Sequence, residues 1–421
     1  MKYTKYLFLA PLIILTGCQT NSLPQSNPGG EAAFYNSGSE IPDNARPNDA
    51  TISRYEELRR SFIARLRASG NLYTIRPIGN AEKFVFNSNI ESKALDKELS
   101  SGYILSYLYY DNGEIKYNGT PPAGRFQSTI NDETLFFTHS SGKSIVSYIV
   151  GHAICQGYIS SIDEVIDWPM MKDTLYQGQR LRDLLNMAAG DSHLVDDRSV
   201  IIHGLGHHRH FGLDTIAHHL KGSKKSGNAV FYNNFLTDVI ANYVAFRAGD
   251  DYGKLLNSVF QDSIRIEREV HFELHPRTST NLNYSPFYNQ YQTRASYSFF
   301  ITRMDFLRFG VAVMRDYQNK SCVGQYLHEL QNQARSWTKY APNNDNSMLW
   351  VHRYARKYGG QFYFDFDGMR GRNIVGTEGF NGQNILIDMD NSRIVVVNSA
   401  ATAWDQRVFM LNVIRTGKLP D

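Results

Sequence analysis

The chain is poor in cysteine, with three in 421 residues, and poor in net charge. So few cysteines in so long a chain exclude a small disulfide-stapled scaffold. The 44 Lys and Arg against 41 Asp and Glu give a formal charge of +3, and setting Lys2 and Lys5 aside with the leader described below leaves +1. A nucleic-acid-binding protein is usually more basic than this. No long membrane-spanning run is evident either: the apolar stretch Tyr6 to Thr16 (YLFLAPLIILT) falls short of the roughly 20 residues that a transmembrane helix requires. What the chain does have is 42% hydrophobic, 13% aromatic and 20% charged residues, enough to bury a large core and too apolar for global disorder. Its 24 Phe and 26 Tyr favour a sheet-rich protein with a groove. At roughly 150 residues per domain the length allows two to three domains or one large two-lobed one.

Lys2 and Lys5 followed by that apolar run form the n- and h-regions of an export signal. It ends in Leu15-Thr16-Gly17-Cys18, which resembles a bacterial lipobox, so residues 1–17 are expected to be removed and the Cys18 thiol acylated. Two or three acyl chains satisfy the requirement of more than one chain for stable anchoring. Residues 18–50, rich in Pro, Gly, Ser and Asn, are expected to be a flexible tether. Gln19 is not the Asp of an inner-membrane retention signal, which favours the periplasmic side of the outer membrane. The two remaining cysteines, Cys155 and Cys322, are expected to be buried free thiols, although export permits a disulfide.

From residue 51 onward, Ile52, Tyr55, Leu58, Phe62 and Leu66 recur at helical spacing. Tyr103–Tyr110 and Glu114–Asn118 flank Asp111-Asn112-Gly113, a strong hairpin signal. Near the other end, Gln361–Asp367, Gln383–Asp388 and Arg393–Asn398 read as strands, and Trp404, Val408, Leu411 and Ile414 fall on one helical stripe. Strands at both ends of a mostly helical middle predict an α+β fold. One antiparallel sheet would be built from both chain ends and flanked by helices, with a mostly helical second lobe inserted at roughly 160–350 in a domain spanning 51–421.

The chemistry centres on Phe137-Thr138-His139-Ser140-Ser141-Gly142-Lys143-Ser144, which precedes an apolar helical stripe through Ile145, Val146, Ile149, Val150, Ala153 and Ile154. Ser140 would sit on the first turn of a buried helix, with Lys143 three residues on and on the same face. A serine hydroxyl needs an adjacent base to attack a carbonyl, and a buried lysine can serve. The helix N-terminus adds unpaired N–H groups for an oxyanion. Gly142-Lys143-Ser144 also matches the tail of a phosphate-binding loop, but Phe137 stands where that loop needs its first glycine, so nucleotide binding is discarded.

The stretch from Thr138 to His152, with Gln156-Gly157-Tyr158-Ile159, Ser161 to Val165 and Leu181 to Gly190, resembles the serine β-lactamase and penicillin-binding-protein family in its class C-like, esterase and amide-hydrolase branch. Tyr232-Asn233-Asn234 resembles the family's Tyr-x-Asn motif, which implies Tyr232 as the proton-relaying phenol and Asn234 as a partner for Lys143 or substrate. Thr377-Glu378-Gly379 is the best match to the third motif, on the strand lining the site. It departs from the pattern, because Thr377 stands where penicillin-recognising enzymes carry a cation, and strong binding of a β-lactam carboxylate is not implied. By analogy the N–H groups of Ser140 and Phe380 form the oxyanion hole, so that Asn234, Thr377, Glu378, Gly379 and Phe380 are the implied substrate-binding set. The resemblance covers roughly residues 95 to 415 and implies an acyl-enzyme serine hydrolase, esterase or amidase, with no metal or organic cofactor.

A rival feature is the histidine-rich stretch His203, His207, His208, His210, His218 and His219. His203 and His207 have chelating spacing only on a helix, which Gly204 and Gly206 disfavour, and no H-E-x-x-H glutamate is present. A solvated loop over the groove is the expected reading. The alternatives in function are a non-catalytic envelope binding protein, a D-amino-acid peptidase on cell-wall peptides, and a histidine-loop metal-binding lipoprotein. A peptide or small-molecule amide or ester is the expected partner, together with a membrane reached through Cys18.

Overall fold

The two ends of the chain meet in one large sheet of the computed structural model, which describes residues 41, 46–87, 90–126, 129–196, 201–276, 291–337 and 351–421. The expected signal peptide, Cys18 and the tether, apart from residues 41 and 46–50, lie outside the described residues. The chain opens with α1 (Asp49–Ala68), capped by the Asn48 side chain, which accepts from the Thr51 amide at 2.9 Å. Strands β1 (Leu72–Ile75) and β2 (Val85–Phe86), helix α2 (Lys93–Ser101) and the hairpin β3 (Ile104–Asp111) and β4 (Glu114–Gly119) follow. Asn112 and Gly113 turn that hairpin at φ +49° and +93°, the left-handed region that the Asn-Gly signal anticipates.

The middle of the chain carries β5 (Leu135–Phe137), α3 (Gly142–Cys155), α4 (Leu181–Leu185), β6 (Ile201–Ile202), β7 (Gly206–His207), α5 (Leu213–His219), α6 (Phe235–Ala248) and α7 (Tyr252–Asn257). It continues through β8 (Val270–Pro276), β9 (Tyr291–Thr302), α8 (Arg303–Asn319) and α9 (Cys322–Asn332). The last part holds β10 (Arg335–Ser336), β11 (Ala355–Gly359), β12 (Phe362–Phe366), β13 (Ile374–Gly379), β14 (Gln383–Asp388) and β15 (Arg393–Ser399), then α10 (Asn412–Thr416).

The large sheet has nine strands in the order β10-β11-β12-β13-β14-β15-β3-β4-β2. Its seam is the antiparallel pairing of β15 with β3, which sets Val396 opposite Leu108. All its pairs are antiparallel except β2 with β4 at the edge. The α+β architecture expected from the sequence is therefore present. The middle is less helical than expected: β8 and β9 join β1 and β5 in a second, four-stranded sheet. Helix α8, within the expected helical lobe, instead packs on the large sheet, where a Cβ on Gly310 would stand 3.3 Å from Ile394 and 3.5 Å from Ile385. In the C-terminal stripe Trp404, Leu411 and Ile414 are buried as expected and Val408 only partly, while the π-turn over Arg407–Leu411 widens the buried face with Met410 and Val413.

Helix α3 runs through the interior, with eleven of its fourteen residues buried. Burial of Ile145, Val146, Ile149 and Val150, at roughly 2 kcal/mol each, drives the helix inward and carries Lys143 with it. Its far end corrects one expectation: Cys155 and Cys322 form a disulfide, with Cα atoms 5.8 Å apart. They meet because α3 crosses α9 closely, the Tyr326 ring lying where a Cβ on Gly151 would be, 2.7 Å from its Cδ1. The Ser147 and Tyr326 hydroxyls also bond at 2.9 Å.

Candidate active site

Strand β5 pairs with β9, Phe137 opposite Phe300, and then turns abruptly. His139 takes φ +48°, a conformation rare for a non-glycine residue, and a 3₁₀ turn over His139–Ser141 runs directly into α3. The turn is clamped from the β13–β14 hairpin. The Ser141 hydroxyl bonds the Gln383 carbonyl at 2.5 Å and the Thr377 hydroxyl at 2.9 Å. Gly379 lies so close that a Cβ there would stand 2.2 Å from the Thr138 carbonyl oxygen. Ser140, between these anchored residues, is only half-buried and remains accessible.

Lys143 is 1% exposed, and its Nζ donates to Ser140 Oγ at 3.0 Å, to the Ser296 carbonyl at 3.1 Å and to Asn234 Oδ1. An ammonium has three N–H groups and all three find acceptors here. A neutral amine in the same place would keep two donations, to Asn234 and Ser296, and turn its lone pair to the Ser140 hydroxyl. The Tyr232 ring centroid lies 5.0 Å from Nζ, within cation–π range. Ser140, Lys143, Tyr232 and Asn234 are thus brought together as the sequence suggested.

Helix α6 divides the work of the two asparagines. Asn233 caps the helix, its Oδ1 accepting from the Leu236 amide at 2.9 Å, which leaves Asn234 for Lys143. Asn234, Asp238 and Asn242 are spaced by four and share one helix face. Asp238 Oδ1 accepts from the Ser296 amide at 3.1 Å. Asn242 donates to the Thr293 carbonyl at 2.8 Å and accepts from its amide at 2.9 Å. This polar face fixes β9, whose Ser296 carbonyl holds Lys143.

No family sequence model matches the chain, and no curated protein matches it in sequence. Solved structures do resemble it. A Bacillus anthracis protein provisionally named a 6-aminohexanoate-dimer hydrolase superposes with a TM-score of 0.54 at 13% identity, covering 82% of this chain and 88% of its own. FmtA from Staphylococcus aureus gives 0.51 at 15% identity, over 80% and 93%. A Bacteroides dorei DSM 17855 protein provisionally named a β-lactamase gives 0.52 at 13% identity, over 74% and 90%. The fold is the serine β-lactamase and penicillin-binding-protein fold.

Within this β-lactamase-like fold the third motif departs from expectation. Thr377 is 1% exposed, its hydroxyl shared between Ser141 and the Ile385 amide at 3.3 Å, so its side chain supports the Ser140 turn and is not free to hold substrate. Glu378 points to the opposite face, as alternate strand residues do, and accepts from the His352 amide at 2.7 Å and Nδ1 at 3.0 Å. Its side chain is 4% exposed and belongs to a packed wall. The contribution of Thr377 and Glu378 to a groove is therefore backbone. Strand β12 pairs with β13 only as far as Gly376, which leaves the edge from Thr377 to Gly379 beside the Ser140 turn. Gly379 packs against the Thr138 carbonyl, and the Phe380 ring stands 5.5 Å from that of His139.

The remaining wall is aromatic. Tyr232 contacts Trp337 and Tyr358 at centroid distances of 6.0 and 5.9 Å, and Trp337 contacts Tyr363 at 5.4 Å. Burial first, and the neighbouring Tyr232 second, push the Tyr358 phenol well above its ordinary value, so it stays protonated.

The histidine-rich segment also corrects the sequence reading. His203 and His219 are exposed, but His207 and His208 are buried. His203 and His207 are separated by the β6–β7 turn and share no helix. Among the described residues no group of three His, Cys, Asp or Glu is placed to hold a metal ion. His208 Nδ1 instead meets Asp238 at 3.3 Å. Burial alone would raise the Asp238 carboxyl, but the hydrogen bond and charge of His208, the charge of Arg294 and the Ser296 amide together hold it below its ordinary value. The sequence offered a signal for Asp238, four residues after Asn234, and none for Ser296, which acts through its backbone.

Proposed function

We propose that the protein is a serine hydrolase that cleaves an amide or ester bond through an acyl-enzyme on Ser140. In this reading Lys143, with Tyr232, takes the Ser140 proton as Oγ attacks the carbonyl carbon. The oxyanion rests on the backbone N–H groups of Ser140 and Phe380, and Tyr232 returns the proton to the leaving nitrogen or oxygen. Water then adds to the acyl-enzyme, releases the acid and restores Ser140. The observation that carries this reading is the 3.0 Å contact from the buried Lys143 amine to the accessible Ser140 hydroxyl, with the amine's other two contacts fixed by Asn234 and Ser296. The fold likeness supports the same class of chemistry.

Preference for an ester or short amide over a β-lactam rests on Thr377, whose hydroxyl is turned to Ser141 and supplies no cation for a carboxylate. A D-amino-acid peptidase on cell-wall peptides has the same machinery. The proposed setting is the bacterial cell envelope, with the domain anchored through acylated Cys18, probed by radiolabelled fatty acid incorporation and its loss in Cys18→Ser.

Intact mass after incubation of the soluble domain, residues 51–421, with a fluorophosphonate tests the activity. One adduct is expected on the wild type and none on Ser140→Ala. An unmodified wild type would refute an activated Ser140 and favour a non-catalytic binding protein; with the adduct formed, a panel of esters, amides and penicillins ranks substrates.

A further inference from the structure

The contacts behind Lys143 continue away from Ser140 in an unbroken line. Nζ donates to the Ser296 carbonyl at 3.1 Å, the Ser296 amide donates to Asp238 Oδ1 at 3.1 Å, and Asp238 Oδ2 faces His208 Nδ1 at 3.3 Å. Each member is buried, with Lys143 at 1%, Ser296 at 0%, Asp238 at 5% and His208 at 2% exposure. The carboxylate therefore acts on Lys143 with little water between them, across the backbone of the single residue Ser296, whose amide and carbonyl belong to adjacent peptide units. We propose that Asp238, seated by His208, is a positioning residue that holds the Ser296 carbonyl against Lys143 and places a negative charge behind its amine, setting the pH at which Ser140 is activated. This rests on the reading of Ser140 as the nucleophile and Lys143 as its base.

The chemistry of the partners supports the assignment. Burial of an amine favours its neutral form, and a nearby carboxylate opposes that effect. A base must lose its proton near working pH and regain one each turnover, so an offset of this kind sits where it is useful. The intervening Ser296 backbone matters too. A carboxylate in direct contact with Nζ would fix the ammonium, whereas Asp238 leaves all three Nζ contacts to Ser140, Asn234 and Ser296. The small cavity around Asp238 is lined by His208, Phe235, Asn242, Thr293 and Arg294 among others, and of its lining residues only His208 and Arg294 are basic groups facing the carboxylate. On the Lys143 side the Ser140 hydroxyl and the Tyr232 ring face the amine. Asp191, beyond Asn233, reaches neither pair directly.

The test is the second-order rate of fluorophosphonate labelling of Ser140 from pH 5 to pH 10, in wild type, Asp238→Asn and His208→Gln. Asparagine can keep its oxygen on the Ser296 amide and turn its NH₂ towards a neutral imidazole, so the substitution removes charge with little change of shape. Loss of a carboxylate at this separation is expected to move the acid limb of the profile down by about one pH unit. His208→Gln leaves the Asp238 carboxylate in place and takes away the positive charge that a protonated His208 would set against it, so its limb is expected to move up, which keeps the proposal testable should Asp238→Asn melt far below wild type. Superimposable limbs for wild type and Asp238→Asn, or an unmoved or lowered limb in His208→Gln, would overturn the assignment while leaving Ser140 as nucleophile. A wild type that is never labelled would overturn both.

Discussion

A single methyl group at Gly379 should separate the strand from the Ser140 turn. The Gly379 backbone does not have a positive φ and pairs normally with Gln383, so alanine is conformationally acceptable and the substitution isolates the contact. The new Cβ would lie 2.2 Å from the Thr138 carbonyl oxygen, 3.2 Å from His139 Cβ and 3.2 Å from Gln383 Cβ. Carbon contacts settle at about 3.5 Å, so the strand end must retreat by roughly 1 Å. Thr138 cannot yield freely, because its amide is held by the Phe299 carbonyl at 2.9 Å and Ser141 is bonded to Gln383. Overpacking of this kind costs about 1–3 kcal/mol, a fall of a few degrees in Tm. The larger effect falls on chemistry, since a displacement of about 1 Å between reacting groups and their oxyanion donors slows reaction by about 100-fold. Fluorophosphonate labelling rates and thermal melts of Gly379→Ala and wild type measure both quantities. Labelling within a few-fold of wild type would refute the claim that this strand end forms part of the reacting arrangement.

Two further outcomes follow from features outside the reacting centre. The Cys155–Cys322 bond closes a sequence separation of 167 residues, for which the chain-entropy estimate is about 5 kcal/mol, so reduction should lower the urea midpoint clearly, and an unchanged midpoint with dithiothreitol would contradict it. Burial raises the Asp191 carboxyl from its ordinary 3.8 to about 6, despite hydrogen bonds from Tyr176 and Asn233 that lower it. The folded state then keeps a proton that the unfolded chain releases, so stability falls as pH rises from about 4 to about 6. Asp191→Asn should flatten that slope and melt higher than wild type at pH 7, by up to about 3 kcal/mol; parallel Tm–pH curves would refute it.

Sequence patterns were legible where local chemistry decides structure. The Asn112-Gly113 turn, the amphipathic α1 and strands β14 and β15 needed only periodicity and turn residues, and Ser140 and Lys143 needed only helical spacing. Strand β9 was not legible, because its buried residues include Gln292, Thr293, Arg294 and Ser296, whose polarity hides a period of two. The β9 backbone at Thr293 and Ser296 is held by Asn242 and Asp238, partners that are distant in sequence. The same holds for His208, whose burial depends on Asp238, and for Thr377, whose hydroxyl reads as a substrate ligand until Ser141 is seen to occupy it. The disulfide was open for a similar reason: the crossing of α3 and α9 depends on Gly151 and Tyr326, not on the spacing of the cysteines.

The seam between β3 and β15 makes assembly wait. Leu108 is synthesised long before its partner Val396, so β3 has an unfilled side until β15 has been made. Pairings across such separations fold slowly, because loop closure precedes any gain from contact. A ribosome-bound or truncated chain ending before residue 393 would present the edge of β3 as a template for other strands. Under the proposed export, the delay would have a use, since a chain that cannot close its main sheet stays threadable, the state in which a polypeptide crosses a membrane before folding on the far side.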